Sequence, residues 1–150
     1  MKSIRAIAIC VFRRGGRILA FRSGQPGTTE EFFRPFGGGL EFGELAEEAI
    51  VREIHEELGE SIVKVERLGV LESRFDYSGQ PQHELLFVFD AEFRNSALYG
   101  QGTLVGKESN GKELIGEWVD LHEVHNGPIP LYPEGLRELI LRSSGPHWGS

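Results

Sequence analysis

The chain has 150 residues, 39% hydrophobic and 26% charged, with a formal net charge of −7 and one cysteine. That length suits a single domain, expected over 1–142, which buries about 70% of the surface its unfolded chain exposes. The acidic excess argues against a broad electrostatic footprint on nucleic acid; no apolar run approaches about 18 residues and no charged-then-apolar leader opens the chain, so no membrane association is expected and a cytoplasmic protein is.

In chain order, Ile4 to Arg22 contains two β-type runs, IRAIAICVF and RILAF, joined by Arg13-Arg14-Gly15-Gly16-Arg17. The Gly-Gly pair signals a hairpin, and the arginines read as solvated turn residues rather than a phosphate-facing patch. Cys10, within the first run, cannot form an internal disulfide and reads as a small buried hydrophobe. Ser23 to Glu31 is a polar loop, and the aromatics of Phe32-Phe33-Arg34-Pro35-Phe36 read as core. Arg34 is the residue of interest there, because a basic side chain beside a phosphate site can hold a charged substrate.

Gly37 to Glu60 organises the rest. Three glycines suit a backbone that turns sharply or approaches a ligand, and a helix is expected from about Glu44 or Leu45 to Leu58, with Gly59 as its stop. Leu45, Ala46, Ala49, Ile50, Ile54 and Leu58 give it an apolar side. Against the single formal cation Arg52 stand Glu44, Glu47, Glu48, Glu53, Glu56, Glu57 and Glu60. Glu53, Glu56 and Glu57 fall within an arc of roughly 100°, a repulsion of about 0.2–0.5 kcal/mol per pair. A divalent cation offsets it most simply, since Mg²⁺ takes one or two carboxylates, several waters and substrate phosphate oxygens. A merely solvated acidic face is the plainer alternative. His55-Glu56 does not extend to a zinc-peptidase helix, because Gly59 stands where the second His is needed, and the glycines lead into neither a Walker loop nor a dinucleotide fingerprint.

The full spacing separates these alternatives. Gly38, Glu44, Arg52-Glu53, Ile54, Glu56-Glu57 and Gly59 resemble the signature of the Nudix hydrolases; only Glu60 departs, standing where an aliphatic is expected, with Ile62 the next apolar residue. The resemblance implies an α/β fold, the Nudix α/β/α sandwich, with a mixed, curved sheet flanked by helices. It also implies Mg²⁺-dependent (or Mn²⁺-dependent) hydrolysis of a nucleoside diphosphate linked to another group. On that resemblance Glu53, Glu56, Glu57 and the carbonyl near Gly38 are metal ligands, Glu53 is the general base, Glu57 shares in catalysis and Arg52 orients a glutamate. Arg34, Gly38 and Gly39 are expected to bind substrate. A homodimer is common in such proteins. The rival reading is a Nudix-like domain that binds a nucleotide or partner without hydrolysing it.

Beyond the motif, Val63 to Phe75 and Glu84 to Phe93 read as strands around a turn at Asp76 to Pro81, the second covered on both faces. His83 at its start reads as structural or exposed. Asn95 to Lys112, rich in Gly, Ser and Asn, reads as a long loop in which Tyr99 either stacks on a base or anchors the segment. Glu113 to Leu121 reads as a strand; the resemblance suggests a further metal ligand or base there, with Glu113, Glu117 and Glu108 as candidates in that order. Pro128 to Arg142 reads as a last helix opened by Pro133, with a stripe of Leu136, Leu139 and Ile140 and a polar tail after it, 143–150.

Overall fold

The computed structural model describes residues 2–143. Its elements are β1 (Ile4–Val11), β2 (Arg13–Arg14), β3 (Arg17–Ser23), β4 (Phe32–Arg34), β5 (Gly37–Gly39), α1 (Ala46–Leu58), β6 (Ile62–Tyr77), β7 (Gln80–Phe93), a 3₁₀ turn (Ser96–Gly100), β8 (Thr103–Lys107), β9 (Glu113–Asp120), α2 (Leu121–Asn126) and α3 (Leu136–Arg142). Of the expected tail only Ser143 is described, its N–H donating to Leu139 O; the rest lies outside the described residues.

Alternation along β1 sets the layers. Ile7, Ile9 and Val11 pack with Leu86, Val88 and the Leu136, Leu139 and Ile140 stripe of α3. Ala8, Cys10 and Phe12 face the other way, toward Phe89, Ala91, Phe93 and the Ala46, Ala49, Ile50 and Ile54 side of α1. The sheet between the helices runs β5-β1-β7-β6; β1 and β7 are parallel, and the other neighbours antiparallel. This is the expected mixed sheet flanked by helices. A second, antiparallel sheet, β2-β3-β9-β8 with β4 also on β3, closes the α1 side. Phe12, at the crossing between sheets, stacks on Phe93 at 3.9 Å, and burying such a ring is worth about 1.5–3 kcal/mol.

Several expectations change. The runs Ile4–Val11 and Arg17–Ser23 belong to different sheets, so the Gly15-Gly16 hairpin joins β3 to the short β2 rather than to β1. Of the hairpin arginines Arg17 is exposed as expected, but Arg13 pairs with Asp90 at 3.2 Å, and Arg14 lies over the Trp118 ring while donating to the carbonyls of Tyr99 and Gln101. Asn95 to Lys112 is not a long loop. Leu104 and Gly106 point inward and alternate with exposed Thr103, Val105 and Lys107, so β8 pairs along β9. Gly106 allows close passage over α1, since a Cβ there would stand 2.9 Å from Glu57 O. The last helix is shorter than expected: it starts at Leu136 after Gly135, which adopts φ 90°, and Pro133 precedes it in a cis peptide. Leu45 caps α1 in extended conformation and is exposed instead of joining the apolar side. Helix α2 adds to the expected elements; Asp120 caps it, accepting from the His122 and Glu123 amides.

Candidate active site

The glycine strand and α1 form one unit. Glu48 accepts from the Leu45 N–H at the helix start, and Gly59 ends the helix in the left-handed region, φ 69°, donating to His55 O. Ile62, buried just beyond, supplies the apolar contact that Glu60 cannot. At the other edge β5 pairs with β1, Gly38 opposite Ala8, so the helix and the glycines are referenced to the same sheet.

Arg52 is the hub. Its Nε and Nη2 fork onto Glu44 at 2.7 and 2.9 Å, Nη2 also donates to Gly39 O at 3.0 Å, and Nη1 donates to Glu53 at 2.9 Å and Glu56 at 3.2 Å. One guanidinium therefore ties the glycine strand to three motif glutamates, with the planar two-point geometry a lysine cannot reproduce. Arg52 beside it, helped by the Glu41 N–H, holds the Glu44 carboxyl at about 2, and the same contact raises the Arg52 pKa further. Because the folded Glu44 pKa is depressed, its contribution to stability is present above about 4.5 and disappears as pH falls toward 2. Melting temperatures of wild type and Glu44→Gln are expected to differ clearly at pH 6 and to converge as pH drops through that window; a constant gap would show that the contact adds no pH-dependent stability.

Glu57 is withdrawn from water. Its Oε1 accepts from the Gly37 N–H at 3.0 Å. Burial pushes its carboxyl up to about 8; the Glu53 charge adds to this and Glu108 contributes a smaller part, while the Gly37 N–H and Arg34 oppose it. Glu53, whose side chain is 15% exposed, rests on Gly38 so closely that a Cβ there would meet the carboxylate at 2.4 Å. Glu56 is the outer member, 57% exposed.

The structure thus brings Gly38, Gly39, Arg52, Glu53, Glu56 and Glu57 together, while Arg34 lies over the Tyr132 ring with its charge reaching Glu57. Two expected residues lie elsewhere. Tyr99 anchors its segment: its hydroxyl accepts from the Phe93 N–H and its ring packs between Phe93 and Trp118, which rules for the anchor over the base-stacking alternative. Glu113 is exposed at the start of β9 opposite Lys107, and Glu117 pairs with Arg22, so the downstream acid whose charge reaches Glu57 is Glu108, ranked last of the three from sequence. The strand alternation ending at Lys107 was the available signal for it.

Among the described residues no group of three or more His, Cys, Asp or Glu side chains closes on a point as a ready cage. The donor chemistry nevertheless fits a hard cation that needs only one or two carboxylates. Glu57 is desolvated beside Glu53 and within reach of the Glu108 charge, and the Gly38 cradle leaves room at the Glu53 carboxylate. All of these are oxygen donors, and a bound cation would relieve their mutual repulsion.

The fold is a sandwich of two sheets with helices against it, in which a glycine strand is tied to an acidic helix through an arginine hub. The NUDIX domain model matches residues 2–142, and the chain belongs to the NUDIX family, a Nudix-type pyrophosphohydrolase. Among solved structures it is similar to a MutT NUDIX hydrolase from Burkholderia pseudomallei at 24% identity, covering 95% of this chain and 100% of that one with a TM-score of 0.64. It is also similar to a NUDIX hydrolase from Nitrosomonas europaea (17% identity, 93% and 87% covered, TM-score 0.63) and a MutT protein from Methanosarcina mazei Go1 (22%, 94% and 93%, 0.60). At these identities the likeness concerns the fold. None of the curated proteins matches the chain significantly. No described helix is long and apolar enough to cross a membrane.

Proposed function

We propose that the chain hydrolyses a pyrophosphate linkage in a small nucleoside diphosphate derivative with the help of Mg²⁺ or Mn²⁺. The observation that carries this reading is Glu57, a carboxylate desolvated, aimed by the Gly37 N–H and set beside Glu53 and Glu108, a placement that disfavours its charged form and that a cation would offset. Glu53, Glu56, Glu57 and the carbonyl near Gly38 would hold the ion, with Glu108 rather than Glu113 as the downstream acid. Such an ion, when bound, would supply neutralisation of phosphoryl charge and an activated water.

The chain's own residues do the rest. Arg52 orients Glu53 through the 2.9 Å contact, which suits Glu53 to take the proton of the attacking water. Its other branch fixes Glu44 and the Gly39 carbonyl, so the glycine strand cannot drift from the helix. Arg34 lies close enough for its charge to act on Glu57 and provides the cation that meets a substrate phosphate. Positioning and charge neutralisation supply the catalysis, because a pyrophosphate resists attack chiefly through its own negative charge.

The test is product identification by mass spectrometry after incubation with a panel of nucleoside diphosphate derivatives in heavy-oxygen water, with and without Mg²⁺ or Mn²⁺. Metal-dependent cleavage with label in one phosphate product is expected, and the label identifies the phosphorus attacked. Intact panel members under both metals would turn the reading to a binding domain.

A further inference from the structure

Strand β6 is the outer edge of the mixed sheet, and its two halves differ. The first half is interrupted by register shifts between Val63 and Glu66 and between Arg67 and Gly69, and Lys64 sits at φ 55°. Such bulges and turned-out charges are how edges avoid pairing with other chains. From Gly69 to Tyr77 the strand instead pairs with β7 residue for residue.

The hairpin fixes which backbone groups of that half point outward. Ser78 and Gly79, at φ 51° and 77°, form a two-residue turn that closes on the pair Tyr77 and Gln80. Pairs alternate between bonded and non-bonded from there, and Pro81, which has no N–H, falls opposite Asp76 as a non-bonded pair. Val70, Glu72, Arg74 and Asp76 therefore direct their N–H and C=O groups away from β7. Among the described residues, no backbone hydrogen bond beyond the strand ladders and helices involves residues 62–77. The side chains of these four residues are exposed, Val70 at 50% and Glu72 at 70%, the latter 3.5 Å from His83 Nε2.

We propose that this edge pairs with the same edge of a second copy of the chain, antiparallel about a two-fold axis at Ser73. That register sets Glu72 against Arg74 of the second copy and Arg74 against its Glu72, while Val70 meets Asp76. All four outward residues then form bonded pairs, about eight backbone hydrogen bonds in total. Neighbouring registers are worse on stated grounds. An axis at Glu72 sets that glutamate against itself. An axis at Arg74 does the same to the arginine and also opposes Glu72 to Asp76, and like charges directly opposite are destabilising. An axis at Leu71 runs into the shift beyond Gly69, and one at Phe75 runs into the Ser78 turn. The partner that fits is thus the chain itself, joining two four-stranded sheets into one.

The experiment is sedimentation velocity up to about 100 μM, a range suited to a contact at the small end of stable interfaces. Wild type is expected to dimerise. Arg74→Glu and Glu72→Arg, each alone, should weaken association at least tenfold, while an equimolar mixture of the two should recover it, because the mixed pair restores both opposite-charge contacts. Turnover per protomer, read alongside, should stay at the wild-type level and certifies folding. A wild type that stays monomeric, single variants that dimerise like it, or a mixture that stays apart would each overturn the proposal.

Discussion

Glu57→Gln is expected to reduce metal-dependent turnover at least about tenfold, or 1.4 kcal/mol of barrier, while leaving the fold intact. The substitution keeps the side chain's shape and an oxygen for the Gly37 N–H, whose 3.0 Å contact ties helix to strand. What it removes is the charge. Stability should respond in the opposite sense to activity. The folded pKa of Glu57, about 8, lies above its ordinary value of 4.5, so between these values the folded chain holds a proton that the unfolded chain has lost. Metal-free stability therefore falls as pH rises through that window, and the glutamine variant should lack this part of the decline. Melting curves from pH 5 to 9, without and with Mg²⁺, read both effects: the variant should melt higher than wild type at pH 9 without metal and gain less from adding it. Equal turnover in the two proteins would remove Glu57 from the metal site.

The second large effect contrasts two neighbouring glycines. At Gly37, φ is 156°, and an added Cβ would stand 2.0 Å from the Ala8 carbonyl oxygen and 2.8 Å from Ile9 Cα. These are backbone atoms of a central strand and cannot give way, so Gly37→Ala should cost about 2–4 kcal/mol and depress the melting temperature sharply. At Gly38 the three atoms nearest the added Cβ all belong to the Glu53 carboxylate, the far end of a flexible side chain. Gly38→Ala should therefore fold with a small loss of stability but swing Glu53 away from Arg52 Nη1, lowering turnover by an order of magnitude or more. Denaturant melts paired with kinetics distinguish them; a Gly38→Ala enzyme with full activity would show that the Glu53 position does not matter.

The sequence exposes the motif helix because one spacing carries several demands at once: Ala46, Ala49, Ile50 and Ile54 must pack, Gly59 must turn left-handed, and Arg52 and the glutamates must share a face. It also exposes the doubly covered β7, since both faces of that strand meet a helix. Where it misled, tertiary contact outweighed local composition. The Asn95 to Lys112 segment reads as loop because it is rich in Gly, Ser and Asn, yet one of those glycines, Gly106, is what lets β8 pass within contact of α1. Arg13 and Arg14 read as solvated because hairpin arginines usually are, and neither Asp90 nor Trp118 is near them in sequence. Glu108 was ranked below Glu113 for the same reason: which acid reaches Glu57 depends on how strands from opposite ends of the chain meet.

The parallel pairing of β1 with β7 places Arg5 and Glu84 side by side although they lie 79 residues apart. A chain emerging from the ribosome has therefore made the whole motif, through Gly59, well before the strand that anchors its scaffold exists. The glycine strand has β1 to lean on, but β1 lacks its parallel neighbour until β7 is made, and Gly106 and Glu108 come later still. Because such distant pairings form slowly, catalytic competence is a late event in the life of each molecule, and a fragment that ends after the motif carries the signature without the activity.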